Sequence, residues 1–399
     1  MHLATRPYLI GVSRGYIFYV CLSQTTQKNI TMKKLAFIFL ILSLQSCHIG
    51  RMITYYKADI DDHKIFPYTE VNTGDQTFYF EDGRDSKLGK RLDTLTFSVN
   101  GVRKPMSTIL DAHTETTAFL VIKNDAVLFE QYYEGYKRDS ISNIFSVSKS
   151  VTALLVGIAI DEGLINDVND PITQYIPELK DGHPYFEQLT IEHLLNMRSG
   201  LKFDESYSSP FDEVSRLYYG RQQLKQIAKY DFLHEPGTHH EYQSANTTLL
   251  GIAIERMAGM ELGKYLEKKL WIPLEMENPA TWSVDDNKNR NAKAFCCLNT
   301  TAIDLAKIAR LVLNNGRFKG KQIVSEQWIS KIRTPNKNND CYQYQWYSAN
   351  CSDKFMAIGI LGQNIYVDPS QDLIIIRLGK SWTSVGVYLG RITEVVRQP

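Results

Sequence analysis

From Val147 the apolar positions recur at Val151, Leu154, Leu155 and Ile158, the spacing of one helix face, until Asp161-Glu162-Gly163 breaks the pattern. That spacing predicts a buried helix of roughly four turns. Runs of a different kind, apolar, β-branched and aromatic, extend from Thr117 to Lys123 and from Val127 to Tyr133 around the turn dipeptide Asn124-Asp125, and predict a β-hairpin. Two more such runs, Asn364 to Val367 and Asp372 to Leu378, are parted by Asp368-Pro369 and followed by a helical stretch from Ser384 to Val396. The middle of the chain reads as helices and loops. Helical spacing marks Leu189 to Asn196, Arg221 to Lys229, Thr247 to Met257 and Ile303 to Asn314, and Gly163, Gly200, Gly237, Gly259 and Gly316 punctuate them. Strands near both ends with helices between predict an α+β sandwich. One antiparallel sheet is assembled from N- and C-terminal strands and flanked by helices, and a mostly helical lobe over about 160–340 leaves a crevice for a site. The domain proper is expected over 101–399, with 47–100 as a lead-in of short strands and loops that carries no chemistry.

Composition narrows the function classes. The 399 residues are 43% hydrophobic and 22% charged, ordinary for a globular protein with a sizeable core. Lys plus Arg number 45 against 44 acidic residues, so there is no basic excess of the kind a nucleic-acid binder presents.

The N-terminus carries a targeting pattern. Met32-Lys33-Lys34 precedes a short apolar run from Leu35 to Leu44, then Leu44-Gln45-Ser46-Cys47. The run is short for a bilayer span and reads as a signal-peptide core over 32–46, ending in a segment that resembles a bacterial lipobox, with an uncleaved anchor as the alternative. On that reading Cys47 is acylated and tethers an exported protein to the membrane of the cell envelope. Residues 1–31 then form an upstream extension, and their Gly11-Val12-Ser13-Arg14-Gly15 matches the nucleophile-elbow pattern only formally, with no strand or helix around it. Export permits disulfides, and a Cys341–Cys351 bridge across the intervening loop is open, whereas adjacent Cys296 and Cys297 read as small buried side chains.

Chemistry concentrates at the head of the first predicted helix. Ser146 and Lys149 are three apart and share a face over an apolar helix that keeps water away. Desolvation lowers a lysine pKa, so this amine can take the serine proton, while the helix N-terminus points N–H groups at an oxyanion. The same Ser-x-x-Lys pattern recurs at Ser199 and Lys202, where Gly200 and a polar loop hold nothing on one dry face. Tyr242 lies in a loop after Pro236-Gly237 and before a helix capped by Ser244 or Asn246; its phenol can relay a proton if Lys149 lowers its pKa. His234, Glu235, His239, His240 and Glu241 lack the spacing of a helical metal motif, and no metal or other cofactor is expected.

Ser146-Val147-Ser148-Lys149, then Pro236-Gly237-Thr238 and Tyr242-Gln243-Ser244, resemble the serine beta-lactamase and penicillin-binding family, in particular its class C-like branch. Leu194 to Leu201 (LLNMRSGL) and Gly362 to Pro369 (GQNIYVDP) extend the resemblance over roughly Thr117 to Val396. It implies a beta-lactamase/transpeptidase-like fold and an acyl-enzyme on Ser146, with Lys149 and Tyr242 as base and acid. It also implies an oxyanion hole from the N–H groups of Ser146 and Ile360, and a cleft lined by Ser244, Gly359, Gln363, Tyr344 and Trp346.

Two departures from the family pattern bear on the substrate. Tyr242-Gln243-Ser244 is the form seen in nylon-oligomer hydrolases and some esterases, and Ala357-Ile358-Gly359 stands where a lysine or histidine motif is usual. Without that cation a substrate carboxylate loses a charge-assisted contact of about 1.5 to 3 kcal/mol. The expected substrate is therefore a small-molecule ester or amide that needs no carboxylate. A beta-lactamase or D-alanyl-D-alanine carboxypeptidase, and a slowly acylating binding or sensor protein, are the rival readings.

Overall fold

A computed structural model of the chain describes residues 48–55, 57–112, 114–207, 209, 211–382 and 386–397. Cys47, the signal-like stretch and residues 1–31 lie outside them. Residues 1–56 form one unit, of which the helix His48–Tyr55 is described, and residues 57–399 form the other. Everything below concerns the second.

The two ends of this unit do build one sheet. Its strands are β1 (Glu81–Asp82), β2 (Thr116–Lys123), β3 (Ala126–Tyr132), β4 (Tyr342–Gln343), β5 (Trp346–Ser348), β6 (Phe355–Gly359), β7 (Gln363–Asp368) and β8 (Leu373–Gly379). Their spatial order is β4-β5-β6-β7-β8-β2-β3-β1, antiparallel except where β1 joins β3. N- and C-terminal strands meet at β8 and β2, with Ile375 opposite Val121 and Ile376 opposite Leu120. Both strands are buried on both faces, which is why they read as continuous rather than alternating apolar runs. Phe119, Val121 and Ile375 face a core completed by Leu92, Leu110, Tyr388 and Ile392, while helix Ala302–Leu313 also packs on β8. The β2–β3 turn is made by Asn124 and Asp125 at φ 50° and 60°, the left-handed pair a two-residue hairpin demands.

The helices form close to where periodicity places them. Val147–Asp161 (α1) is buried from Val147 through Ala159, a helix enclosed on all sides rather than one with a wet face. Ser244–Ala258 (α2) packs beside it, and Ile191–Leu195, Gln223–Ile227 and Gly386–Arg397 answer the other helical patterns.

The middle of the chain is not helical throughout. Ala280–Ser283 and Leu298–Thr300 are strands of a second sheet, ordered Tyr68–Val71, Ala280–Ser283, Leu298–Thr300, Ser142–Asn143. Segments this short carry no readable period, and their partners lie far away in sequence, so pairing overrides local pattern. One of the short strands expected in the lead-in joins this sheet, with Thr69 opposite Trp282. The sheet ends on Ser142–Asn143, immediately ahead of the turn into α1.

Both cysteine pairs are bridged. Cys341–Cys351 closes its loop, and Cys296–Cys297 is a disulfide between neighbours. The second pair is small and buried, as read, and is in addition bridged.

Candidate active site

The turn into α1 is held under tension. Phe145, buried and at φ 45°, occupies a left-handed conformation that a bulky residue adopts only when its surroundings enforce it. Asn143 Oδ1 accepts its N–H at 2.9 Å, and Ile144 N–H donates to the Leu298 carbonyl at 3.1 Å. Chain direction changes sharply here and leaves Ser146 partly exposed at the helix head.

Lys149, one turn on, is 1% exposed. Its Nζ donates to Ser146 Oγ at 3.0 Å and to the Phe295 carbonyl at 3.0 Å. Burial brings its pKa down to about 8, and the Glu205 carboxylate offsets part of that fall. An amine in this seat reaches its neutral form near physiological pH, as a proton acceptor must.

Tyr242 joins the pair from the loop before α2. Its phenol is hydrogen-bonded to Ser146, and its ring centre lies 4.7 Å from Lys149 Nζ. Its pKa is not lowered by the lysine: burial pushes it well above the phenol range, Tyr347 and Glu205 add to the rise, and the Ser146 hydrogen bond opposes it. The phenol is therefore neutral, suited to passing a proton rather than to standing as a base.

Gly359 at the end of β6 passes directly over the turn. A Cβ there would sit 2.7 Å from the Ile144 carbonyl and 3.3 Å from Ser146 N, so only glycine lets this strand approach. Ile360 follows it. The N–H of Ser146 and the strand end thus lie side by side.

Of the remaining expected cleft residues, Ser244 alone touches a group that acts on Lys149. Ser244 is fully buried and engaged with Glu205, donating its N–H at 2.7 Å and its hydroxyl at 2.5 Å. Gln363 is fully buried, with its amide paired to the Gly379 backbone at 2.7 and 3.2 Å. Tyr344 packs on Trp328 and donates its hydroxyl to Glu192, and Trp346 is buried against Phe355. These three are core residues: Gln363 and Trp346 point inward from strands, and Tyr344, in the turn between β4 and β5, is buried against Trp328. His234 stacks on His239 and His240 faces Asp340.

Glu205, Tyr207, Tyr342, Tyr347 and the Phe295 carbonyl belong to the site but were not legible in sequence. Tyr207 donates to Glu205 at 2.8 Å, and Tyr342 stands edge-on to both Tyr242 and Tyr347. Common residue types in polar loops carry no signal, and a backbone carbonyl has none at all. The nearest hint was position, since Glu205 and Tyr207 closely follow the Leu194 to Leu201 segment.

A buried helix headed by serine, a lysine one turn on and a strand end alongside make this a hydrolase of the serine type. The chain belongs to the beta-lactamase family: the model of that family, Beta-lactamase, matches residues 101–393. It is 31% identical over 293 residues to the 6-aminohexanoate-dimer hydrolase of Paenarthrobacter ureafaciens, a match covering 67% of this chain and 73% of that one. A Bacillus anthracis protein provisionally described as a 6-aminohexanoate-dimer hydrolase shares the fold with a TM-score of 0.70 at 22% identity, over 85% of this chain and 92% of that one. The D-alanine carboxypeptidase AmpC of Burkholderia cenocepacia shares it at 0.55 and 14%, over 74% and 97%.

Proposed function

We propose that the protein cleaves an ester or amide through an acyl-enzyme on Ser146. Neutral Lys149 takes the proton as Ser146 Oγ bonds to the substrate carbonyl carbon, and the N–H groups of Ser146 and Ile360 receive the oxyanion. The proton then passes through Tyr242 to the leaving group as the carbonyl–leaving-group bond breaks. Water attacks the acyl-enzyme by the reverse path and frees Ser146. The observation that carries this reading is the contact of Lys149 Nζ with Ser146 Oγ at 3.0 Å in a seat that is 1% exposed.

The substrate side is supported by what β6 lacks. Ala357-Ile358-Gly359 offers no cation for a substrate carboxylate. The relationship to a 6-aminohexanoate-dimer hydrolase favours a linear amide or ester over a strained lactam. Turnover of p-nitrophenyl acetate and butyrate against nitrocefin tests this: the esters are hydrolysed and nitrocefin poorly, and the reverse ranking would return the protein to the lactamases. Stoichiometric labelling without turnover would make it a binding protein.

The same proposal places the mature protein at the cell envelope, lipid-anchored through Cys47. Cys47→Ala should release it from the membrane fraction, and an unchanged distribution would rule the anchor out.

A further inference from the structure

Among the described residues, Lys149 Nζ bonds Ser146 Oγ and the Phe295 carbonyl. A carbonyl can only accept. A neutral Lys149 that keeps this contact spends one N–H on Phe295, and its lone pair is then free to face Ser146. A single backbone oxygen thus restricts how the proposed base can turn.

The next two residues are Cys296 and Cys297, disulfide-linked and 3% and 0% exposed. Cys297 stands at φ 70°, a conformation disfavoured for any side chain. Just beyond it, Leu298 N–H donates to Ser148 Oγ at 3.2 Å, and the Leu298 carbonyl accepts from Ile144 N–H at 3.1 Å. The Cys296 carbonyl accepts from Trp282 Nε1 at 3.1 Å. This segment grips the chain on both sides of Ser146, and the bridge lies between its Phe295 and Leu298 contacts.

We propose that the Cys296–Cys297 disulfide is a positioning element for Lys149, locking the backbone that aims the Phe295 carbonyl at its amine. The proposal rests on the reading of Ser146 and Lys149 as nucleophile and base. A dithiol breaks the S–S bond by giving each sulfur a hydrogen while becoming a cyclic disulfide itself. Cys297 can then leave its left-handed conformation, which rotates the neighbouring peptide planes and carries the Phe295 carbonyl off the amine. The groups facing Lys149 are Ser146 Oγ, the Phe295 carbonyl and ring, the Tyr242 ring and the Glu205 carboxylate. The bridge carries no charge and acts on the amine only through the carbonyl; an amine freed from it moves toward water and becomes harder to deprotonate.

The test compares the full chain with Cys296→Ser/Cys297→Ser and with Cys297→Gly, which loses the bridge yet tolerates φ 70°. The readout is p-nitrophenyl butyrate hydrolysis as a function of pH, with circular dichroism to establish folding. Both variants should lose about tenfold in kcat with KM little changed, and the acid limb of the profile should move to higher pH. Cys341→Ser/Cys351→Ser, which removes only the Cys341–Cys351 bridge, should keep the wild-type profile. A folded variant without the bridge that retains the wild-type kcat and acid limb overturns the proposal. Should neither variant fold, dithiothreitol is applied in the Cys341→Ser/Cys351→Ser background, with alkylation and intact mass reporting reduction. Activity should fall with the reduced fraction and return with oxidised glutathione, and full activity in reduced protein overturns the proposal. If instead Lys149→Ala keeps its turnover, the base assignment itself has failed, whatever the cysteine variants do.

Discussion

The chain contains two Ser-x-x-Lys patterns, and the fold treats them in opposite ways. Ser146 and Lys149 ride one helix face, 3.0 Å apart, the lysine sealed and its pKa brought down to about 8 by burial. Ser199 is also buried, but its hydroxyl donates to Gln243 Oε1 at 3.0 Å, and Lys202 lies exposed on the surface. Gln243 in turn donates to the Leu201 carbonyl at 2.8 Å, so this serine braces the loop that carries Tyr242. Identical spacing brings hydroxyl and amine together only where a continuous helix aligns the two residues and apolar packing excludes water.

Mutation should separate the two pairs widely. Ser146→Ala is expected to lower ester turnover by at least about 10³-fold, and Lys149→Ala by about as much, since members of one proton-transfer unit fail together. Steady-state assays on p-nitrophenyl butyrate check both, and tenfold or smaller losses would remove either residue from the chemistry. Tyr242→Phe should cost about 10²-fold by removing the proton path and leaving the nucleophile in place. If the phenol only packs, the loss will be small.

The contrast also predicts a pH response. As the proposed base, Lys149 must be neutral, and burial brings its pKa down to about 8, so kcat/KM should climb through that region and fall about tenfold per unit on its acid side. A profile flat from neutral pH to well above 8 would show that the amine is not the base.

Effects at the second pair should be structural and small. Ser199→Ala leaves a buried Gln243 oxygen without its donor and should lower stability by about 1 to 3 kcal/mol in chemical denaturation, with ester turnover close to wild type. Lys202→Ala should shift stability by no more than about 0.5 kcal/mol. A loss of turnover in Ser199→Ala that persists in protein shown to be folded would dissolve the distinction.

Much of this was readable from residues alone. The β2–β3 hairpin follows from Asn124-Asp125, because few side chains accept two consecutive left-handed conformations. The joining of β2 to β8 follows from strand-like runs at both ends, and α1 from its spacing. What escaped reading depends on partners distant in sequence. Leu298–Thr300 is a strand only because Ser142–Asn143 and Ala280–Ser283 flank it, and the Phe295 carbonyl acts on Lys149 from across that same segment. Tyr344 and Trp346 resemble cleft aromatics as letters, yet packing draws them into the core. Oxidation of Cys296 and Cys297 has no sequence signature, since adjacent cysteines are equally compatible with two buried thiols.

The most direct test is covalent labelling with a fluorophosphonate, read by intact mass and peptide mapping on wild type, Ser146→Ala and Ser199→Ala. The account predicts one adduct on Ser146 in the wild type and in Ser199→Ala, and none in Ser146→Ala. An adduct that persists in Ser146→Ala, or one that maps to Ser199, would contradict it.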